Sequence, residues 1–110
     1  MPAKMLKETT PREAAVGADL REDDYERLAR TFRALGHRTR LAILLRIAKG
    51  EFCVGDLQEH LDRSQSNISQ HLAVLRDRGL IVAERRGNNV CYNLADKRIA
   101  RIIEVASEMV

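Results

Sequence analysis

"SQSNISQHLAVLRDRGL", residues 64 to 80, decides how the rest of the chain is read. Ile68, Leu72 and Leu75 recur at helical spacing, so the segment has one apolar stripe to bury. Ser64 stands where a helix N-cap belongs, and Gly79 where a helix stops. The other side carries Ser66, Asn67, Ser69, Gln70 and Ala73. A helix that only had to stay in solution would ordinarily show Glu and Lys there. This one offers neutral donors and acceptors instead, the chemistry of a face that hydrogen-bonds to something.

The neighbours of that helix narrow the choice. Before it, "VGDLQEHL" (residues 54–61) predicts a helix of about two turns with Leu57 and Leu61 on one side, and Asp62 and Arg63 make a tight connection. After it, "LIVAERRGNNVCYNL" (residues 80–94) reads as two β-rich runs around the turn Arg86-Gly87-Asn88-Asn89. Two short helices and a hairpin predict a winged helix-turn-helix: a mainly α fold with a small β-hairpin wing. The second helix of such a unit enters the major groove of DNA. Gln and Asn can pair bidentately with adenine there, and Ser serves several bases or a phosphate. Gln65, Ser66, Asn67, Ser69 and Gln70 fit base reading, with Ser64 at the helix start and His71 within reach of a phosphate. Arg85 and Arg86, with Asn88 in the turn, would lie along the backbone or in the minor groove. The plainer reading, a polar helix facing solvent, would win if the helix stood alone. The basic hairpin that follows tips the balance to double-stranded DNA.

Further out, "HRTRLAILLRIAKG" (residues 37–50) has Leu41, Ile43, Leu44, Leu45, Ile47 and Ala48 on more than one face. It should be the central buried helix, closed by Gly50. From Glu22, the residues Tyr25, Leu28, Ala29, Phe32 and Leu35 form an amphipathic stripe that Gly36 ends. In "ADKRIARIIEVASEMV" (residues 95–110), Ile99, Ile102, Ile103, Ala106 and Met109 share a helical face. A small winged domain has no further core for these two outer stripes to cover, so they ask for a partner. Residues 1–21, with Pro2, Pro11 and Gly17, read as a flexible arm, and residues 22–110 as the folded domain. "EFCV" (residues 51–54) is a short strand candidate.

The chain of 110 residues is one domain's worth of material. No apolar run approaches the ~20 residues of a membrane span, and the first residues lack a signal-peptide core. The expectation is a cytoplasmic protein without membrane contact. Net charge is +3, and its distribution says more. Residues 1–36 balance seven basic against seven acidic side chains, whereas residues 63–86 hold five Arg against Asp77 and Glu84. A basic zone around a polar helix fits a polyanion. A solvated charged surface would give the same count. No glycine-rich phosphate loop and no nucleophile–base signature is present, so no enzyme is expected. The rival is an architectural protein that binds DNA without an inducer and with little sequence preference. A recognition face that is polar rather than Lys-rich argues against it.

"ALGHRTRLAILLRIAKGEFCVGDL" followed by "SQSNISQHLAVLRDRGLI" resembles the ArsR/SmtB family of bacterial winged-helix repressors, and the resemblance covers roughly Tyr25 to Met109. It implies a homodimer that occupies a promoter and lets go when an inducer binds. It also implies that the first and last helices form the dimer interface, which assigns Tyr25, Leu28, Phe32, Ile99, Ile102, Ile103 and Ala106 to it.

Members of that family sense through sites in different places. The arsenic- and cadmium-type site has a "CVC" at the start of the third helix. Here the stretch is Cys53-Val54-Gly55, so the first thiol matches and glycine replaces the second. The zinc-type site uses Asp and His near the start of the last helix, with His and an acid about eleven residues on. Asp96 matches, but Arg98 stands where His is needed, and no His follows to Val110. Arginine cannot ligate zinc at neutral pH, so that site is read as absent. Cys53 and Cys91 remain. Strand alternation puts Val90, Tyr92 and Leu94 on the core face and Cys91 on the other, and in "FCV" Cys53 likewise faces away. If the short strand pairs with the second wing strand, the thiols are close. They could close a disulfide, accept a thiophilic metal, or hold a metalloid with a third donor. They could equally be packing residues. His37 is read as helping to start a helix and His60 as solvent-facing. Asp23 and Asp24 are read as first-turn charges that favour a helix dipole.

Overall fold

Ser64 starts the recognition helix as expected: its Oγ accepts a hydrogen bond of 3.1 Å from the Asn67 backbone N–H. In the computed structural model, which describes residues 19–50 and 52–110, that helix runs Gln65–Asp77. It ends in a Schellman motif. Gly79 takes a left-handed conformation (φ 73°), its N–H donates to the Arg76 carbonyl, and the Leu80 N–H donates to the Leu75 carbonyl, each at 2.9 Å. Leu75 and Leu80 are both buried, supplying the apolar contact that usually accompanies this cap.

Among the described residues the order is α1 (Glu22–Leu35), α2 (Arg38–Ala48), α3 (Val54–Leu61), α4 (Gln65–Asp77), β1 (Ile81–Arg86), β2 (Asn89–Leu94) and α5 (Arg98–Ser107). This is the winged helix-turn-helix that the sequence predicts. The central helix is α2, which packs against α1, α3, α4, α5 and β2. Its Ile43, Leu44 and Ile47 are buried with Leu57 of α3, Ile68, Leu72 and Leu75 of α4, and Ile81 of β1. Leu45 and Ala48 lie on its exposed side. His37 caps α2, its Nδ1 accepting from the Thr39 N–H at 3.1 Å, so this histidine does start a helix.

The wing is an antiparallel pair in which Ile81 faces Leu94 and Arg86 faces Asn89. Its two-residue turn puts Gly87 at φ 62°, while Asn88 is not among the residues with positive φ. Glycine first and an ordinary residue second is the II′ arrangement, whose twist suits a hairpin.

One expectation needs correction. Within "EFCV", the described segment 52–54 is not a strand. It contributes a single antiparallel bridge between Cys53 and Cys91, with the Tyr92 N–H donating to the Phe52 carbonyl at 3.1 Å. The chain leaves the extended conformation at once because Cys53 is already the N-cap of α3. Cys91 lies on the side of the hairpin away from Tyr92, across from Cys53 as expected, and it has no exposed surface there because the 52–53 segment lies beside β2. The arm expected over residues 1–21 lies outside the described residues as far as residue 18.

Candidate nucleic-acid interface and thiol pair

The inner stripe of α4 fixes what its outer side can show. With Ile68, Leu72 and Leu75 at 0–1% exposure, the helix cannot rotate without exposing core. Gln65, Ser66, Ser69 and Gln70 are therefore held on the exposed side, together with Ser64. Asn67 is different. It is half-buried and its Oδ1 is buried without a hydrogen-bond partner, so that atom is not presented outward with the others.

His71 is tied into the protein. Its ring lies 4.3 Å from that of His37, and its Nδ1 is 3.3 Å from Nη1 of Arg40. Arginine can only donate, so Nδ1 accepts and the ring proton sits on Nε2. Burial, then the charges of His37, Arg40 and Arg63, push the His71 pKa below its ordinary value. Arg40 also donates to the Ala34 carbonyl at 2.6 Å and to the Arg33 carbonyl at 3.2 Å. One guanidinium thus joins the end of α1 to the middle of α4. Sequence reading passed over Arg40, although a signal existed: it shares the helical stripe of Leu44 and Ile47, an odd place for a charge without partners.

Arg38 was passed over too, and Arg63 entered only as part of the basic zone over residues 63–86. They line a shallow cavity of about 210 Å³ with Thr39, His60 and Leu61, beside the start of α4. In the wing, Arg85 and Asn88 are exposed. Arg86 is exposed but not idle, because its guanidinium lies 4.6 Å over the Phe52 ring and its Nε is 3.4 Å from a Glu84 oxygen.

On the opposite flank, α1 and α5 each pack chiefly on α2. Tyr25, Leu28 and Phe32 are 44–53% exposed, Ile102 is 40% exposed, and Ala106 is exposed as well. Ile99 and Ile103 are not part of that free surface. They are 6% and 8% exposed and belong to the core of the protomer itself. An apolar groove of about 460 Å³ runs between Phe32, Leu41, Leu45 and Ile102.

Cys53 and Cys91 are joined in a disulfide, with their α-carbons 3.9 Å apart. A cavity of about 270 Å³ adjoins Cys53, lined by Gly55, Gln58, Gln65, Asn88, Asn89 and Val90 among others. Among the described residues no group of three or more His, Cys, Asp or Glu side chains could hold a metal ion. Asp96, the one match to a zinc-type ligand, is engaged otherwise. Its carboxylate accepts from the Arg98 side chain at 2.7 Å and backbone at 2.8 Å, bonds that lower its pKa to about 2. The arginine that breaks the zinc pattern has thus become the partner of the remaining ligand.

A buried tri-helical core, a capped polar helix and a hairpin wing define a winged helix-turn-helix protein. The profile described as "Bacterial regulatory protein, arsR family" matches residues 37–82. The chain is 40% identical over 72 residues to the biofilm growth-associated repressor of Agrobacterium fabrum, covering 66% of this chain and 62% of that one. It is 45% identical over 76 residues to the transcriptional regulator CmtR of Mycobacterium tuberculosis, covering 69% and 64%. The match thus spans somewhat less than two thirds of these two relatives. The solved NMR structure of CmtR, titled as a cadmium metal-sensor, aligns with a TM-score of 0.60 at 43% identity over 69% of this chain and 79% of that one. HlyU from Vibrio cholerae aligns with a TM-score of 0.73 at 31% identity, over 81% of this chain and 97% of that one. The homodimeric winged helix-turn-helix domain Mb0332 from Mycobacterium bovis gives 0.71 at 27% identity, over 92% and 86%. The chain belongs to the arsR family of bacterial regulatory proteins. Among its described residues no helix is long and apolar enough to cross a membrane.

Proposed function

We propose that this protein is a homodimeric transcriptional repressor whose residues 22–110 bind a palindromic operator and release it on a chemical signal at the Cys53–Cys91 pair. The observation that carries the reading is the exposed amide and hydroxyl side of α4, held in place by a fully buried inner stripe. Ser64, Gln65, Ser66, Ser69 and Gln70 face the major groove, and two copies read half-sites about one helical turn, roughly 34 Å, apart. Asn67 joins them through its amide nitrogen or by turning out on contact. His71, with its proton on Nε2, donates to a phosphate, and Arg38, Arg63 and Arg85 anchor the backbone. Arg86 works from its seat on Phe52, and Asn88 meets the DNA at the wing tip.

The partner interface is the exposed stripe of Tyr25, Leu28, Phe32, Ile102 and Ala106, extended by Val105 and Met109. Ile99 and Ile103 support it from inside. The homodimeric state of Mb0332 favours the same arrangement here.

The donor set favours redox signalling over metal. Gly55 removes the second thiol of a "CVC", and among the described residues no group of three or more His, Cys, Asp or Glu brings a third donor to the pair. Closing the disulfide ties the start of α3 to the wing, fixing the wing's angle against the reading helices and lowering operator affinity. Reduction frees it.

The test is to select DNA from a random pool with the reduced protein, then titrate that operator and random DNA. A specificity ratio of ~10³ or more marks a specific reader, and a ratio near one supports the architectural rival. Operator release is then measured against oxidants, persulfides and thiophilic metals. Cys53→Ser and Cys91→Ser should each bind normally and stay bound under oxidant. A wild-type response from either variant removes the pair from sensing, and release by a metal but not by oxidants restores the metal reading.

A further inference from the structure

We infer that the cavity beside Cys53 is a docking site for a low-molecular-weight thiol, which opens the disulfide by attacking Cys53 and never Cys91. The inference rests on the reading of the pair as a working disulfide. Access is the first argument. Cys91 has no exposed surface, whereas Cys53 is only half-buried and lines the cavity. The second argument is the lining. Gln58, Gln65, Asn88 and Asn89 supply amide donors and acceptors, and among the described residues no charged side chain lines the cavity to repel or trap a thiolate. Its volume of about 270 Å³ lies below the range of roughly 300–1,000 Å³ that takes drug-sized ligands, so the occupant is of amino-acid size.

Gly55 lines the cavity, and a β-carbon built there meets nothing within 4 Å, so there is room for a side chain at this position. The position that would carry the second thiol of a metal site instead borders the cavity without a side chain.

The chemistry balances in two steps. The incoming thiolate bonds to the Cys53 sulfur, the Cys53–Cys91 bond breaks, and Cys91 leaves with the electron pair and takes a proton from water. A second thiolate then attacks the small molecule's sulfur in the mixed disulfide and expels Cys53 as a thiolate. Two small thiols end as a small disulfide and the protein pair ends reduced. Leaving-group strength alone would favour the opposite attack. Cys53 at the N-cap of α3 makes the more stable thiolate, and stable thiolates leave faster. That preference cannot act on a sulfur that no nucleophile reaches, so access decides the first step. The N-cap then assists the second, where Cys53 is the leaving group.

The intermediate places a small adduct between Gln65, at the first turn of α4, and Asn88 at the wing tip. It therefore sits within the proposed DNA-contacting surface.

The experiment treats the oxidised full-length protein with L-cysteine, quenches with acid and an alkylating agent, and maps both cysteines by mass spectrometry. The expected product carries the cysteine adduct on Cys53 and the alkyl group on Cys91, in at least about tenfold excess over the reverse isomer. An adduct on Cys91, an equal mixture, or no adduct at all overturns the proposal. In a second arm, Gly55→Leu fills the cavity and should slow adduct formation about tenfold or more. An unchanged rate shows that the cavity is not the route. Neither arm uses DNA. If oxidised and reduced protein bind the operator equally, the switch reading fails while the mapped site of attack stands.

Discussion

Helices α4 and α5 are built on the same plan and end with opposite outer sides. Each buries one stripe against α2: Ile68, Leu72 and Leu75 from α4, and Ile99 and Ile103 from α5. Their outer sides differ. On α4 that side is Ser66, Ser69 and Gln70, and on α5 it is Ile102, Val105 and Ala106, running on to Met109. Exposed neutral polar groups lose little in water and gain only where a partner offers matched donors and acceptors. Exposed apolar groups gain wherever water is removed, without regard to pattern. The first is how a surface reads a sequence. The second is how it finds a copy of itself.

Ile102→Asp breaks the comparison most severely. Ile102 is 40% exposed in the protomer, so the fold should survive, but a dimer would bury the new carboxylate unpaired. The cost is about 3 kcal/mol or more per buried charge, felt twice in a symmetric pair. Sedimentation should show monomer and operator affinity should collapse. An intact dimer would place the interface elsewhere. Ile103→Asp differs: Ile103 is a core residue, so that change should unfold the protomer as well.

Gln70→Ala attacks the other surface. If Gln70 pairs with a base, specific binding should weaken by about 1–3 kcal/mol per half-site while binding to random DNA barely changes. Equal losses on operator and random DNA would show that the polar side of α4 does not read.

What could be read from the chain in advance follows from range. The helix spans, Ser64 and His37 as caps, and the Gly87 turn are local, and each rests on spacing or on one residue's backbone freedom. Contacts between distant segments were harder. Strand alternation puts Cys91 on the side away from the core and across from Cys53, but its complete burial there depends on residues 52 and 53 covering that side of the hairpin, which alternation does not report. The stripe of α5 was drawn too wide for the same reason: Ile99 and Ile103 sit at the right spacing for a partner, but α2 claims them first. Arg40 could be placed on a stripe, yet its role needs the end of α1 and the ring of His71, six and thirty-one residues away. The closeness of the two thiols was legible only as a consequence of the fold.

The basic residues sharpen the same comparison more gently. Arg63→Ala should lower affinity for all DNA alike and shallow the log–log salt dependence by about one unit per half-site, as loss of one phosphate contact does. Arg86→Ala should do less. Its guanidinium is already stacked on Phe52 and bonded to Glu84, so it begins partly engaged within the protein. Equal slopes for the two variants would mean that Arg86 leaves Phe52 for the phosphate.

The smallest effect concerns pH and His71. Its pKa is lowered in the folded protein, by burial first and then by His37, Arg40 and Arg63. A histidine with a depressed folded pKa leaves stability intact above its unfolded value of about 6.5 and removes some as pH falls through that value toward the folded one. Protonation would put a hydrogen on Nδ1, where Arg40 already points one, so the contact to Arg40 would open. The link between the end of α1 and the middle of α4 would loosen with it. Urea midpoints should therefore fall slightly from about pH 7.5 to about pH 5.5 in the wild type, and fall less in His71→Gln. Glutamine keeps an acceptor for Arg40 but cannot take the proton. Asp96 and Asp24 do not confuse the test, because both titrate below their ordinary carboxylate range and stay charged throughout. A pH dependence that is the same in both proteins would assign it to another group and leave His71 a neutral spacer between α2 and α4.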